Sequence, residues 1–181
     1  MKTLLAMILA LFLFAVAFSG SLATEHPRPA SARQMTDAAV DYEQAFKALS
    51  VLTEADQSLL AGDVDYQSPS ATALILKVDP ALRYLHRGSM KPTCDWGLNL
   101  QEEGAAAVFP HLAKAKLLAN CALFRARSNW AQGRKHESLK DLCATIALAN
   151  HVGAKGTNGF VSLLAQYEME ALALSFIFDR L

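Results

Sequence analysis

Residues Ala113 to Asn150 read as two amphipathic helices folded back on each other around the tight break Gln132-Gly133-Arg134. Leu112, Ala115, Ala119, Ala122, Ala126 and Trp130 recur every three or four residues and so share one helix face, and Leu139, Leu142, Ile146 and Ala149 do the same on the returning segment. The first face is mostly alanine, narrow enough for another helix backbone to approach closely. Gly133 permits the reversal. No period-two strand pattern occurs anywhere in the chain. These residues together predict an all-α fold.

The N-terminus predicts export. Lys2 precedes an apolar run from Leu4 to Phe18, and small residues ending Ser21-Leu22-Ala23 follow. That is the order of n-region, h-region and cleavage site in a secretory leader. The run falls short of the roughly 18 to 20 apolar residues that cross a bilayer, so no stable membrane span is expected after cleavage near Ala23. Removing 23 residues from 181 leaves 158, enough for one domain. Residues 24–32 are rich in Pro, Ser, Arg and His, with no apolar period, and predict a flexible tail. The domain is expected over 33–181. The full chain carries 17 basic and 17 acidic side chains, and losing Lys2 leaves sixteen against seventeen. No net field would steer it to nucleic acid or anionic lipid, and no nucleic-acid partner is expected.

Along the domain, Met35, Ala39, Tyr42, Phe46, Leu49 and Leu52 predict a first helix, Thr53 caps a short second one, and Gly62 stops it. Ser70 to Val78 predicts a helix that breaks at Asp79-Pro80 and restarts, with Asp79 as cap and Pro80 at the first helical position, running to Arg87. Gly88 to Gly104 reads as the longest irregular segment. Gly153 ends the hairpin, and Thr157 or Asn158 caps a last helix whose core face is expected to be Phe160, Leu164, Tyr167, Ala171, Leu174, Phe178 and Leu181. The chain stops after the apolar Phe176-Ile177-Phe178 with no polar cap. This leaves two alternatives open: a truncated array, or a last helix covered by a second chain.

Chemistry is sparse. His86, Arg87, Cys94, Asp95 and Trp96 sit at or in the irregular segment, where scaffolded functional groups concentrate. Cys94 beside Asp95, with His86 or His111 as base, are candidates for a nucleophilic pair. The structural alternative has Trp96 covering a helix end and Asp95 capping a turn. His111, His136 and His151 lie on separate elements without His-x-x-x-His spacing, so no metal site is expected. Residues 153–159 superficially suggest a phosphate loop, but Lys155 precedes Gly156 and a helix comes before, so an interhelical turn is expected and no cofactor. Cys94, Cys121 and Cys143 make an odd count. A Cys121–Cys143 bridge would be strained, and three buried free cysteines are the expectation. Arg125, Arg127, Arg134 and Lys135 near the hairpin tip read as a solvated face.

Trp130-Ala131-Gln132-Gly133 followed by Ser138-Leu139, Leu142, Thr145-Ile146 and Leu148 resembles one tetratricopeptide unit, although Ser138 and Thr145 stand where that family usually has Ala. A second resemblance rests on Tyr84-Leu85-His86-Arg87-Gly88, Cys94-Asp95-Trp96-Gly97-Leu98, Pro110-His111-Leu112 and Leu148-Ala149-Asn150-His151-Val152-Gly153. These residues are similar to an uncharacterised family of exported bacterial helical proteins. That resemblance implies fold and export and transfers no active site. The combined expectation is about five or six helices in antiparallel, tetratricopeptide-like hairpins. Such a module would serve protein interaction through a protein partner or self-association, with Trp96, Phe176 and Phe178 as contact candidates. A ligand binder or enzyme using the Cys94-Asp95-Trp96 loop is the alternative.

Overall fold

A computed structural model describes residues 36–62, 64–97, 109–153 and 160–178. The leader, its cleavage site and the 24–32 tail lie outside the described residues, as do Met35, the 154–159 turn with its proposed cap, and Leu181. Among the described residues there are six α-helices and one 3-10 turn, with no strand. A single parallel bridge joins Asp37 to Thr93. The all-α expectation holds.

Helix α1 (Ala38–Ala48) begins where the Asp37 carboxylate accepts the Ala39 amide, and it runs into the 3-10 turn Leu49–Val51. Helix α2 (Glu54–Ala61) buries no residue and depends on its ends. Thr53 Oγ1 accepts the Asp56 amide at 3.3 Å while Asp56 accepts the Thr53 amide at 2.7 Å, a reciprocal cap. Lys77 reaches the same Asp56 carboxylate at 2.5 Å and ties α2 to the next helix. The Lys77 hydrogen bond, then those of Thr53, hold that carboxyl down at about 2.

Helix α3 (Pro69–Ser89) corrects one expectation, because it passes through Pro80 without a break. Ala71, Leu74, Val78, Ala81, Leu82 and Leu85 form a core face continuous across that position. Pro80 and Leu76 are both on the exposed side, so the Leu76 carbonyl that Pro80 cannot satisfy is left to water. Asp79 caps nothing. It accepts instead from Arg83 and from Arg125 at 2.8 and 2.9 Å. The irregular segment consequently starts after Ser89, two residues later than Gly88.

Helices α4 (Pro110–Ala131) and α5 (Lys135–Val152) form the expected hairpin. At the turn, Gly133 has φ of +78°, its amide bonds the Trp130 carbonyl, and the Arg134 amide bonds the Asn129 carbonyl. This is the paired-bond helix ending that favours glycine in the left-handed region. Ala115, Ala119, Ala122 and Ala126 are fully buried, and α4 is the central helix, contacted by the other five. On α5, Leu142 and Ala149 are buried as expected, whereas Leu139 is exposed and Ser138 and Thr145 occupy buried small-residue positions. The main core gathers Tyr42, Leu74, Leu82, Leu85, Leu118 and Leu148. A smaller one joins Leu123, Ala126 and Leu142 to Ala173 and Phe176.

Helix α6 (Phe160–Phe178) lies along α5 and α4, and its orientation reverses the expectation. Ser162, Ala165, Met169, Ala173 and Phe176 face inward, while Phe160, Leu164, Tyr167, Ala171, Leu174 and Phe178 all face out. Both faces are apolar, so hydrophobicity alone does not choose between them. The slimmer face allows the closer approach to α4 and α5, and close packing selects it.

Close approach also sets the α1–α3 contact, where a Cβ built on Gly88 would stand 2.6 Å from Tyr42 Cε1. Gly88→Ala would gain about 1 kcal/mol of helix propensity but overpack a buried ring at a cost of about 1 to 3 kcal/mol. A lower urea midpoint is therefore expected by circular dichroism. A midpoint at or above that of the parent would show that the contact yields.

Candidate functional site

Segment 91–97 works as a strap across the N-terminus of α1. Ala38 donates its amide to the Thr93 carbonyl at 2.8 Å, and Thr93 Oγ1 donates to the Thr36 carbonyl. The Asp95 amide donates to the same Asp37 carboxylate that caps α1. Asp95 itself accepts the Gly97 amide at 2.9 Å, closing a local turn. Trp96 lies nearly parallel to the His111 ring at 4.4 Å between centroids, and to Tyr42 and Phe46 at 5.7 and 6.1 Å. Its Nε1–H donates to the His151 carbonyl in the last turn of α5, so the indole covers a helix end. Tyr42 Oη and His151 Nδ1 are 2.7 Å apart in the same cluster.

The proposed nucleophile and bases are placed differently from the sequence expectation. Cys94 is partly buried, and burial raises its thiol pKa, with the Asp37 and Asp95 charges adding to the effect. A neighbouring aspartate here suppresses the thiolate instead of helping to form it. His111 is buried against Trp96, its Nε2 makes no hydrogen bond among the described residues, and burial lowers its pKa to about 4. Burial likewise lowers His151, partly opposed by a hydrogen bond involving the Lys91 backbone and by Asp37. Cys121 is buried and its thiol is pushed up to about 12 by desolvation and the Asp56 charge. Cys143 is exposed, which corrects the expectation of three buried thiols; all three are free.

His86 belongs to another cluster. Its Nε2 is 2.7 Å from Asp141 Oδ1, and Arg125 grips the same carboxylate through Nε at 3.0 Å and Nη2 at 2.6 Å. A carboxylate only accepts, so Nε2 carries the imidazole proton in that bond. Arg125 Nη1 reaches Asp79 at 2.9 Å, and Asn129 Nδ2 approaches Asp141 Oδ2 at 3.4 Å while its own oxygen accepts from Arg134. Asp141 is only 1% exposed. Arg125 is therefore an interior link among α3, α4 and α5, not part of a solvated face. The available signal was helical spacing: Arg125 and Asn129 continue the row of Leu118 and Ala122, three or four residues apart. A second pairing sits beside it, with Asp41 on α1 held by Arg87 and by Lys91 at 2.7 Å. Burial would raise the Asp41 carboxyl, but those cations outweigh it and hold it below its ordinary value.

Among the described residues, two of the open grooves border the candidate residues. One of about 480 Å³ lies between the end of α3 and α5, lined by His86, Met90, His136, Leu139 and Cys143. The other, about 600 Å³, lies between α4 and α6, lined by Phe109, Leu112, Leu117, Val161 and Leu164, with the Lys116–Glu168 ion pair at its edge. The latter groove adjoins the outward row of α6. Of the contact candidates, Phe178 is exposed, whereas Phe176 is 2% exposed and packs edge-on against Trp130 at 6.0 Å. Phe176 is core, because only that side of α6 meets α4 and α5. Trp96 is likewise committed to intramolecular stacking. By length and composition α6 is apolar enough to cross a membrane, with its inner face buried against the other helices. Among the described residues no group of three or more His, Cys, Asp or Glu is placed to hold a metal ion.

Two measurements check these environments. Near neutral pH, a maleimide probe should label Cys143 at least tenfold faster than Cys94, since only the thiolate reacts and Cys94 is both covered and held protonated. Equal rates would contradict the burial of Cys94. For His111, the folded value of about 4 lies below the ordinary 6.5. Above 6.5 both states are neutral; between 6.5 and 4 only the unfolded chain takes the proton, so stability should decrease as the pH is lowered from 6.5 to 4. His111→Phe keeps an aromatic ring against Trp96 and should flatten the urea-midpoint profile between those pH values. An unchanged slope would assign the dependence to other groups. No protein-family model, curated protein or solved structure matches this chain.

Proposed function

We propose that this protein is an exported protein-interaction module, a helical-repeat-like scaffold whose contact surface is the outer face of α6. The observation that carries the reading is the row of bulky apolar side chains there, with Phe160 76%, Tyr167 59% and Phe178 56% exposed. Contiguous exposed apolar surface of this kind marks interaction sites, whereas scattered single residues do not. The α4–α6 groove beside the row supplies the concave companion that helix-in-groove recognition uses.

Other observations support the same direction. The interior histidines, Trp96 and the buried carboxylates are occupied by contacts that hold helices together. The alternative of chemistry at Cys94-Asp95-Trp96 has less support, since the Cys94 thiol is kept protonated and the indole is stacked. Balanced charge favours partners chosen by shape and apolar contact. Export rests on the leader read in residues 1–23.

Leu164→Glu combined with Leu174→Glu tests the reading, because both positions are exposed and their replacement should leave helicity and the urea midpoint nearly unchanged. Tagged parent protein is expected to retain a stoichiometric protein partner, or a second copy of itself, from native envelope extract. The double variant should retain at least tenfold less. Equal recovery by the two proteins would rule out α6 as the contact surface.

A further inference from the structure

The outward row of α6 has an order that identifies what covers it. Phe160, Leu164, Tyr167, Ala171, Leu174 and Phe178 are spaced four, three, four, three and four residues apart. This alternation of four and three is the seven-residue repeat that keeps a seam facing a second helix over successive turns. The row also reads nearly the same from either end: Phe, Leu, a central Tyr-Ala pair, Leu, Phe. An antiparallel two-fold axis at the level of Met169 would set Phe160 against Phe178 and Leu164 against Leu174 of the second copy. Tyr167 would fall opposite Ala171, the large residue against the small one. Self-complementarity under a two-fold is what an isologous interface requires.

We infer that α6 pairs antiparallel with α6 of a second copy of this chain through the row Phe160 to Phe178. This rests on reading the outer face of α6 as the contact surface. The two carboxylates that flank the axis differ: Glu168 is neutralised by Lys116 at 2.7 Å, whereas Glu170 only accepts from Gln166 at 2.7 Å, so one unpaired charge per chain opposes the contact and keeps it reversible. The extent of the face is sufficient. Scaling about 200 Å² per aromatic side chain, and somewhat less per aliphatic one, by the observed exposures gives on the order of 600 Å² per chain. Two such faces bury roughly 1,200 Å², the lower bound for specific interfaces, as expected of a reversible dimer. A lipid surface fits less well, because α6 has no Lys or Arg to meet headgroups.

Sedimentation velocity of the full-length parent, from about 1 to 200 µM, should show a shift from monomer toward dimer, and Leu164→Glu/Leu174→Glu should remain monomeric with parental circular dichroism. Orientation is read in a Cys143→Ser background by mixing Phe160→Cys and Phe178→Cys proteins under mild oxidation. The mixed disulfide should exceed either self-disulfide several-fold. A monomer at every concentration, or a preponderance of self-disulfides, overturns the pairing. So does flotation of the parent with phosphatidylcholine vesicles that the double variant loses. If the parent is monomeric yet retains a different protein through α6, the pairing fails and the interaction reading stands; if it retains nothing, both fail.

Discussion

The Asp141 carboxylate is the point on which the helical arrangement depends. It is buried in the hairpin, and four donors from three neighbouring side chains converge on it: His86 of α3, and Arg125 and Asn129 of α4. Taking such a charge out of water is costly, and deleting one partner of a buried pair typically destabilises by about 3 to 5 kcal/mol. The cost constrains geometry as well as energy. Only one register of α5 against α4, and one placement of α3 across both, brings every donor to that carboxylate. Alanine on α4 permits many close approaches, and the polar cluster selects among them. Arg125 continues to Asp79 and Asn129 to Arg134, so the same set reaches from the middle of α3 to the hairpin turn.

At the opposite end, the 91–97 strap performs a similar service with aromatic area. Trp96 meets Tyr42, Phe46 and His111 and closes the carbonyl end of α5. A loop that carries Cys, Asp and Trp next to a His-bearing helix looks chemical in one dimension. Here its carboxylate closes a turn, its indole stacks and its thiol is desolvated. Cys94, Asp95, Trp96 and His111 are thus committed to contacts that join helices. Helix α6 carries seven of the twelve exposed large hydrophobic side chains among the described residues, and the α4–α6 groove adjoins them.

Helix periodicity, the Gly133 reversal, the Thr53 cap and the Gly62 stop were legible because each is a local rule acting over a few residues. Continuity of α3 through Pro80 was not. A proline's local penalty is about 3 kcal/mol in a helix interior, and here the unbroken core face from Ala71 to Leu85 outweighs it. Arg125 was misplaced because a cationic residue near a turn looks solvated until its distant partner, sixteen positions along the chain, is known. Trp96 and Asp95 as structural parts were foreseeable alternatives, and their geometry follows the cap and cover roles that their residue types favour.

The α6 helix separates the two levels most cleanly. Its amino-acid order by itself determined that residues 160–178 form a helix and that a bulky row spaced alternately four and three residues apart runs along it. Order alone could not say which face turns inward, since both are apolar and transfer from water favours either. The tertiary structure decided that by volume: Ser162, Ala165 and Ala173 let the backbone settle against α4 and α5, and Phe160, Tyr167 and Phe178 could not. Local sequence encodes periodicity and conformational preference. Burial is a property of the space that neighbouring helices leave, and that space exists only once the chain has folded.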